Sequence, residues 1–121
     1  LLSRGQLVQL SQDHVPEGEN SQFRSRRSHA LSQAVGGTSL PEAIEPHISI
    51  DTPLAPGEAL LLCSDGLTDM VPDHVIRKIL GSSADPNTAV RNLAAQAFRA
   101  GGHDNISIAV ARLAEPSRSA N

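Results

Sequence analysis

Across 121 residues there is one cysteine, one methionine, two phenylalanines and neither tryptophan nor tyrosine. Each shortage excludes something. A single Cys63 rules out an intrachain disulfide and any multi-cysteine metal site, and predicts a reducing, cytoplasmic setting. Within Ala59-Leu60-Leu61-Leu62-Cys63 its thiol is expected to be a small buried hydrophobe. With Phe23 and Phe98 as the only aromatics, no platform exists for stacking bases or sugars. Basic charge is also scarce: ten Lys+Arg face thirteen Asp+Glu, a net charge of −3, and the one basic cluster is Arg24, Arg26 and Arg27. That is too little to neutralise several backbone phosphates, so no nucleic-acid partner is expected. No apolar run approaches the roughly 20 residues that span a bilayer, so no membrane partner is expected either.

What remains is a chain of globular composition, 39% hydrophobic and 19% charged, whose core must be built from Leu, Ile, Val and Ala. It starts at Leu1, without Met and as if within a strand, which predicts a fragment. Leu1-Leu2 and Leu7–Leu10 flank Arg4-Gly5 and predict a hairpin. The polar stretch from Ser11 to Ser28 predicts a loop, and Ser28 a cap for a short helix carrying Leu31, Ala34 and Val35 up to Gly36-Gly37. His47–Asp51 alternates as a strand. The continuous apolar run Ala59–Cys63 suits a strand buried on both faces, and the short link between these two favours an antiparallel pair.

Pro72 is expected to open a helix bearing Val75, Ile76, Ile79 and Leu80, stopped at Gly81. Asp85-Pro86 opens another, whose stripe Val90, Leu93, Ala94, Ala97 and Phe98 ends at Gly101-Gly102. Asn105–Ala111 alternates again, with Ile106, Ile108 and Val110 on one face. The tally is about five strands and two or three helices, an α+β chain with a polar tail over Glu115–Asn121.

Two acidic residues stand at mirror-image strand ends: Asp65 at the exit of Leu60–Cys63, and Asp104 at the entrance of Ile106–Val110. If those strands pair antiparallel, the two carboxylates converge, a donor set that suits a hard divalent cation such as Mg²⁺ or Mn²⁺. The same residues also form ordinary turns, and spacing alone leaves both readings open. Asp69 either joins such a site or caps the helix at Pro72, and pattern favours the cap. Asp13-His14 is by itself an undistinguished polar pair, and the five histidines show no zinc-site spacing.

The stretch from Pro56 to Asp69, with Cys63-Ser64-Asp65-Gly66-Leu67-Thr68-Asp69 at its end, resembles a signature of the metal-dependent protein serine/threonine phosphatases, the PPM or protein phosphatase 2C family. Gly101-Gly102-His103-Asp104-Asn105-Ile106-Ser107 resembles its last motif, Leu10-Ser11-Gln12-Asp13-His14 an earlier one, and His29–Gly36 the family's short segment that ends at a Gly. Four motifs in order are specific, and they cover the chain to about Ala114. The resemblance implies an antiparallel β-sandwich with flanking helices, of which residues 1–114 would be the C-terminal portion and 115–121 the tail.

The resemblance also implies hydrolysis of phosphoserine and phosphothreonine in protein substrates, by a water held between two Mn²⁺ or Mg²⁺ ions. By the same resemblance Asp65 and Asp104 are metal ligands, and Asp13, Asp65 and Asp69 match a third, weaker cation site. Gly66 would allow the close turn after Asp65, and Asn105 would fix the loop carrying Asp104. Nothing here matches the family's upstream Asp-Gly-x-Gly-Gly motif. The 121 residues alone are therefore expected to be inactive and to self-associate through exposed sheet edges. Two readings stand beside the enzyme: a non-catalytic phosphatase-like module for metal sensing, phosphoprotein binding or scaffolding, and an α+β domain whose acids only cap loops.

Overall fold

The structure is a computed structural model that describes residues 1–13, 35, 36, 39, 43–48 and 53–113. The chain divides into two compact units, Leu1–Gln9 with Thr52–Asn121, and Leu10–Asp51. In the second unit the described residues form no helix or strand, His47 and Ile48 included. The rest of the strand expected at 47–51, most of the helix expected at 28–36 and the polar tail lie outside the described residues.

The first unit is an antiparallel sheet with helices against it. Strands β1 (Leu2–Ser3), β2 (Gln6–Leu7), β3 (Ala59–Cys63) and β4 (Ile108–Arg112) lie in the order β2-β1-β3-β4. Helices α1 (Asp65–Thr68), α2 (Asp73–Ser82) and α3 (Pro86–Arg99) connect β3 to β4. The first hairpin turns where expected. Arg4 and Gly5 both have positive φ, 49° and 76°, the requirement of a type I′ turn, and pair Leu2 with Leu7 and Ser3 with Gln6. Its second strand is shorter than the Leu7–Leu10 stretch suggested.

β3 takes β1 and β4 as partners, in register Leu2↔Ala59 on one side and Ala59↔Arg112 to Cys63↔Ile108 on the other. The pairing expected between 47–51 and 59–63 is not seen among the described residues. β4 begins at Ile108, three residues later than the alternation at Asn105 suggested.

The helices form for local reasons and stay for tertiary ones. Asp85 caps α3: its Oδ1 accepts from the Thr88 amide at 2.9 Å and its Oδ2 from the Thr88 hydroxyl at 2.6 Å, with Pro86 in the first turn. The far end closes as a Schellman motif, the Gly102 amide on the Ala97 carbonyl and the Gly101 amide on that of Phe98, both at 3.1 Å. α2 departs from expectation at both ends. Pro72 is its N-cap rather than its first residue, and the helix runs through Gly81 to Ser82. It needs no glycine stop, because the Ser83 amide and hydroxyl both bond the Ile79 carbonyl, at 3.0 and 2.7 Å. The Arg112 guanidinium, from the end of β4, donates through Nη2 to the Leu80 carbonyl. It supplies at that helix terminus the positive charge that the last turn of α2 lacks.

The core joins Leu2 and Ala59 of the sheet to Leu67, Val71, Ile76, Leu80, Ala89, Leu93 and Ala97, with Leu61, Ile106, Ile108 and Val110 packed against it. These residues define the covered face of the sheet. On the opposite face Leu60 is half-buried, Ala109 and Ala111 are exposed, and Leu62 is 65% exposed. The expectation of a strand buried on both faces is thus corrected, because all the described helical cover lies on one side. Cys63 is exposed as well, at the strand end, so it is not the buried thiol expected; its apolar surroundings still push its pKa up. No helix among the described residues is long and apolar enough to cross a membrane.

Candidate functional site

The antiparallel β3–β4 pair sets the geometry. Cys63↔Ile108 is the last Cα pair of the ladder, so the exit of β3 and the approach to β4 lie at the same end of the sheet. Asp65, at that exit, is the first residue of α1 and is exposed. Asp104, in the loop that leads into β4, is also exposed, and its Oδ1 accepts from the Asn105 amide at 2.7 Å. The two segments are tied directly. The Ser64 amide donates to the Ser107 carbonyl at 3.0 Å, the Ser107 amide to Ser64 Oγ at 3.0 Å, and Ser64 Oγ to the Asn105 carbonyl at 3.3 Å.

Gly66 is buried against the same loop. A Cβ there would stand 2.3 Å from the Asn105 carbonyl oxygen and 3.1 Å from its carbon. Glycine is therefore required by close approach, not by its φ. Asn105 acts in this contact through its backbone: its carbonyl lies over Gly66 and its amide holds Asp104. Ser64 and Ser107 lie inside the two motifs, and nothing in their spacing assigns them a role. The available signal was a hydroxyl residue directly between an apolar strand and Asp-Gly.

Asp69 is the C-cap of α1, its amide donating to the Asp65 carbonyl at 2.8 Å. The cap expected of it at α2 is not made, since Pro72 stands at the N-cap with no side-chain bond. The short helix α1 occupies Asp69 instead, and Asp73 supplies the acid of α2's first turn. Asp13 is exposed in the unit 10–51.

The donors at the sheet end are carboxylate oxygens, the ligand class that Mg²⁺ and Mn²⁺ take, and such ions commonly keep several waters beside one or two carboxylates. In chemistry the residues fit a hard divalent cation. In number they do not complete a cage: among the described residues no group of three or more His, Cys, Asp or Glu is placed to hold a metal. A shallow depression lined by Leu62, Cys63, Ser107, Ile108 and Ala109 lies beside the site and is mostly apolar.

No family model matches the chain. Individual proteins do. The serine/threonine phosphatase Stp of Listeria monocytogenes is 32% identical over 120 residues, an alignment covering 89% of this chain and 45% of that protein. A probable protein phosphatase 2C from Oryza sativa subsp. japonica is 29% identical over 129 residues, with 93% and 45% covered. Among solved structures, PppA of Pseudomonas aeruginosa superposes with a TM-score of 0.71 at 33% identity, covering 92% of this chain and 46% of that one.

The chain belongs to the PPM-type phosphatases. It corresponds to a C-terminal portion of their domain, and it spans about half the length of the relatives it matches. The serine/threonine phosphatase PstP of Mycobacterium tuberculosis agrees, with a TM-score of 0.71 at 28% identity over 94% of this chain and 50% of that one. Of the antiparallel β-sandwich with flanking helices that the motifs imply, the described residues form one antiparallel sheet with its helices, in keeping with the α+β class.

Proposed function

We propose that this PPM chain supplies the C-terminal half of a protein serine/threonine phosphatase centre, acting in the cytoplasm on phosphoserine and phosphothreonine. One observation carries the reading. In a chain similar to serine/threonine phosphatases, the Ser64–Ser107 bonds tie the turn at Asp65 to the loop carrying Asp104. In this reading Asp65 and Asp104 hold Mn²⁺ or Mg²⁺, which when bound would lower the pKa of a water and offset charge on the phosphoryl oxygens. Asp104 keeps its orientation through the Asn105 amide, and Gly66 lets that loop lie close. The weaker third-cation role implied for Asp13, Asp65 and Asp69 belongs to the same proposal.

The open sheet face fits this reading. Leu60, Leu62, Ala109 and Ala111 form the inner face of a sandwich whose other sheet comes from residues outside these 121. Without that layer the chain is expected to self-associate, which sedimentation velocity reads as a concentration-dependent mass.

The test is hydrolysis of a small aryl phosphate and a phosphothreonine peptide with Mn²⁺. The 121-residue chain alone should be inactive. Preceded by a segment carrying Asp-Gly-x-Gly-Gly, it should turn over, stop with chelator, and lose at least about 100-fold with Asp65→Asn or Asp104→Asn. Asp13→Asn and Asp69→Asn should shift the Mn²⁺ requirement less. An extended protein that stays inactive would overturn the enzyme reading, whereas activity indifferent to Asp65→Asn would overturn only the ligand role of Asp65. In the inactive case the non-catalytic module would stand, favoured already by the incomplete ligand set among the described residues.

A further inference from the structure

Ser64 sits where a strand must become a helix, and its backbone cannot serve both. An antiparallel ladder continued past Cys63↔Ile108 would pair Ser64 with Ser107 through two bonds, each amide on the other's carbonyl. Only one of these is made in that form, from the Ser64 amide to the Ser107 carbonyl at 3.0 Å. The Ser64 carbonyl instead accepts from the Leu67 amide at 3.1 Å, the bond that starts α1. The Ser107 amide, deprived of that carbonyl, takes Ser64 Oγ at 3.0 Å. The hydroxyl's own proton goes to the Asn105 carbonyl at 3.3 Å. A hydroxyl with one proton and two lone pairs can fill both roles; a methyl can fill neither.

We propose that Ser64 is a positioning residue for the cation site, its hydroxyl replacing its own carbonyl in the ladder. In that role it holds the Asp104 loop against the Asp65 turn at the point where β3 leaves the sheet. The inference rests on the reading of Asp65 and Asp104 as cation ligands. Gly66 marks the same contact independently, since the Asn105 carbonyl that receives the Ser64 proton is the one a Cβ at Gly66 would strike. Hydroxyl on one side and missing methyl on the other fix how near the two acidic segments lie.

The experiment uses the 121-residue chain, isotopically labelled, titrated with Mn²⁺ alone. It reads paramagnetic broadening of the Gly66 and Asn105 amides and hydrogen exchange at the Ser107 amide. Ser64→Ala should speed Ser107 exchange about tenfold and raise the Mn²⁺ concentration for half-broadening about tenfold. Ser64→Thr, which keeps the hydroxyl, should stay within about twofold of the parent. The isosteric Ser64→Val, compared with Ser64→Thr, isolates the hydroxyl should the alanine variant not fold. Leu93→Ala, a core change in α3, should lower stability without moving the half-broadening point.

If Asp65→Asn abolishes the broadening while Ser64→Ala and Ser64→Val leave it unchanged, the positioning role is overturned and the cation reading survives. If Asp65→Asn has no effect on the broadening, the cation reading fails and the positioning role falls with it. A loss in Ser64→Val equalled by Ser64→Thr would make the effect one of shape, and would also overturn the proposal.

Discussion

The two faces of one sheet are similar in composition and differ in what covers them. On the covered face Ala59, Leu61, Ile108 and Val110 meet three helices, and the residues that close over them reach full burial at Leu67, Leu80, Leu93 and Ala97. On the other face Leu60, Leu62, Ala109 and Ala111 are just as apolar but have no such cover, and Leu62 is 65% exposed. The contrast teaches that apolar composition marks a face for burial without saying what will bury it. β4 writes its two faces in different letters, Ile and Val inward, Ala outward. β3 writes both in leucine, so its pattern alone does not distinguish core from an open surface.

The largest effect should come from breaking the covered face. Leu93→Ala removes a fully buried side chain from α3 and should cost about 3 kcal/mol in chemical denaturation. Leu62→Ala is the matched change on the open face and should stay within about 0.5 kcal/mol. A comparable loss at both positions would mean that Leu62 is covered in solution.

The next effect sharpens how tightly the covered side is filled. Gly66→Ala places a methyl 2.3 Å from a backbone oxygen that no side-chain rotation relieves. The loop at Asn105 must move, at a cost of about 2 kcal/mol, and the Ser64–Ser107 bonds should loosen with it. Amide exchange at Ser107 is the check, and protection equal to the parent's would contradict the close contact.

Smaller effects concern the anchors of the covering layer. Asp85→Ala removes the cap of α3 and should lower the melting temperature by about 5 °C, whereas Asp85→Asn should lose little of it. The Asp85 carboxyl is held below its ordinary pKa by the Thr88 hydroxyl and then by the Thr88 amide. Glu58 is likewise lowered by the Ser3 hydroxyl and then by the Ala55 amide, so it ties β1 to the turn that enters β3. Both pKa values are depressed on folding. Their contribution is therefore present above the unfolded carboxylate range, roughly pH 4, and is lost as pH falls through the lower folded values. Melting temperature against pH should show this acid loss, and Glu58→Gln with Asp85→Asn should flatten it. Because Asp85 is exposed and Glu58 is only half-buried, the flattening should be the slightest of these effects.

How much could be read beforehand differs element by element. Arg4-Gly5, Asp85-Pro86 and Gly101-Gly102 name their turns and ends because the reasons are stereochemical and lie within a few residues. Gly81 misleads for the same cause: a glycine permits a stop, but the Ser83 hydroxyl supplies one later. The motifs around Asp65 and Asp104 were legible as acids at strand ends. Their tie was not, because it joins residues 41 and 43 positions apart through a serine that reads as an ordinary loop residue.

The chain's own letters decided where it turns, where α3 starts and ends, which face of β4 lies inward and which acids stand beside glycine. Those choices follow from backbone dihedrals, side-chain acceptors and a period of two, all local. Tertiary structure alone decided that β3 lies between β1 and β4, that Leu62 and Cys63 are left in the open, and that Ser64 lends its hydroxyl to the ladder. Each of those depends on which distant backbone groups compete for one donor or acceptor, and such competition has no trace in local spacing.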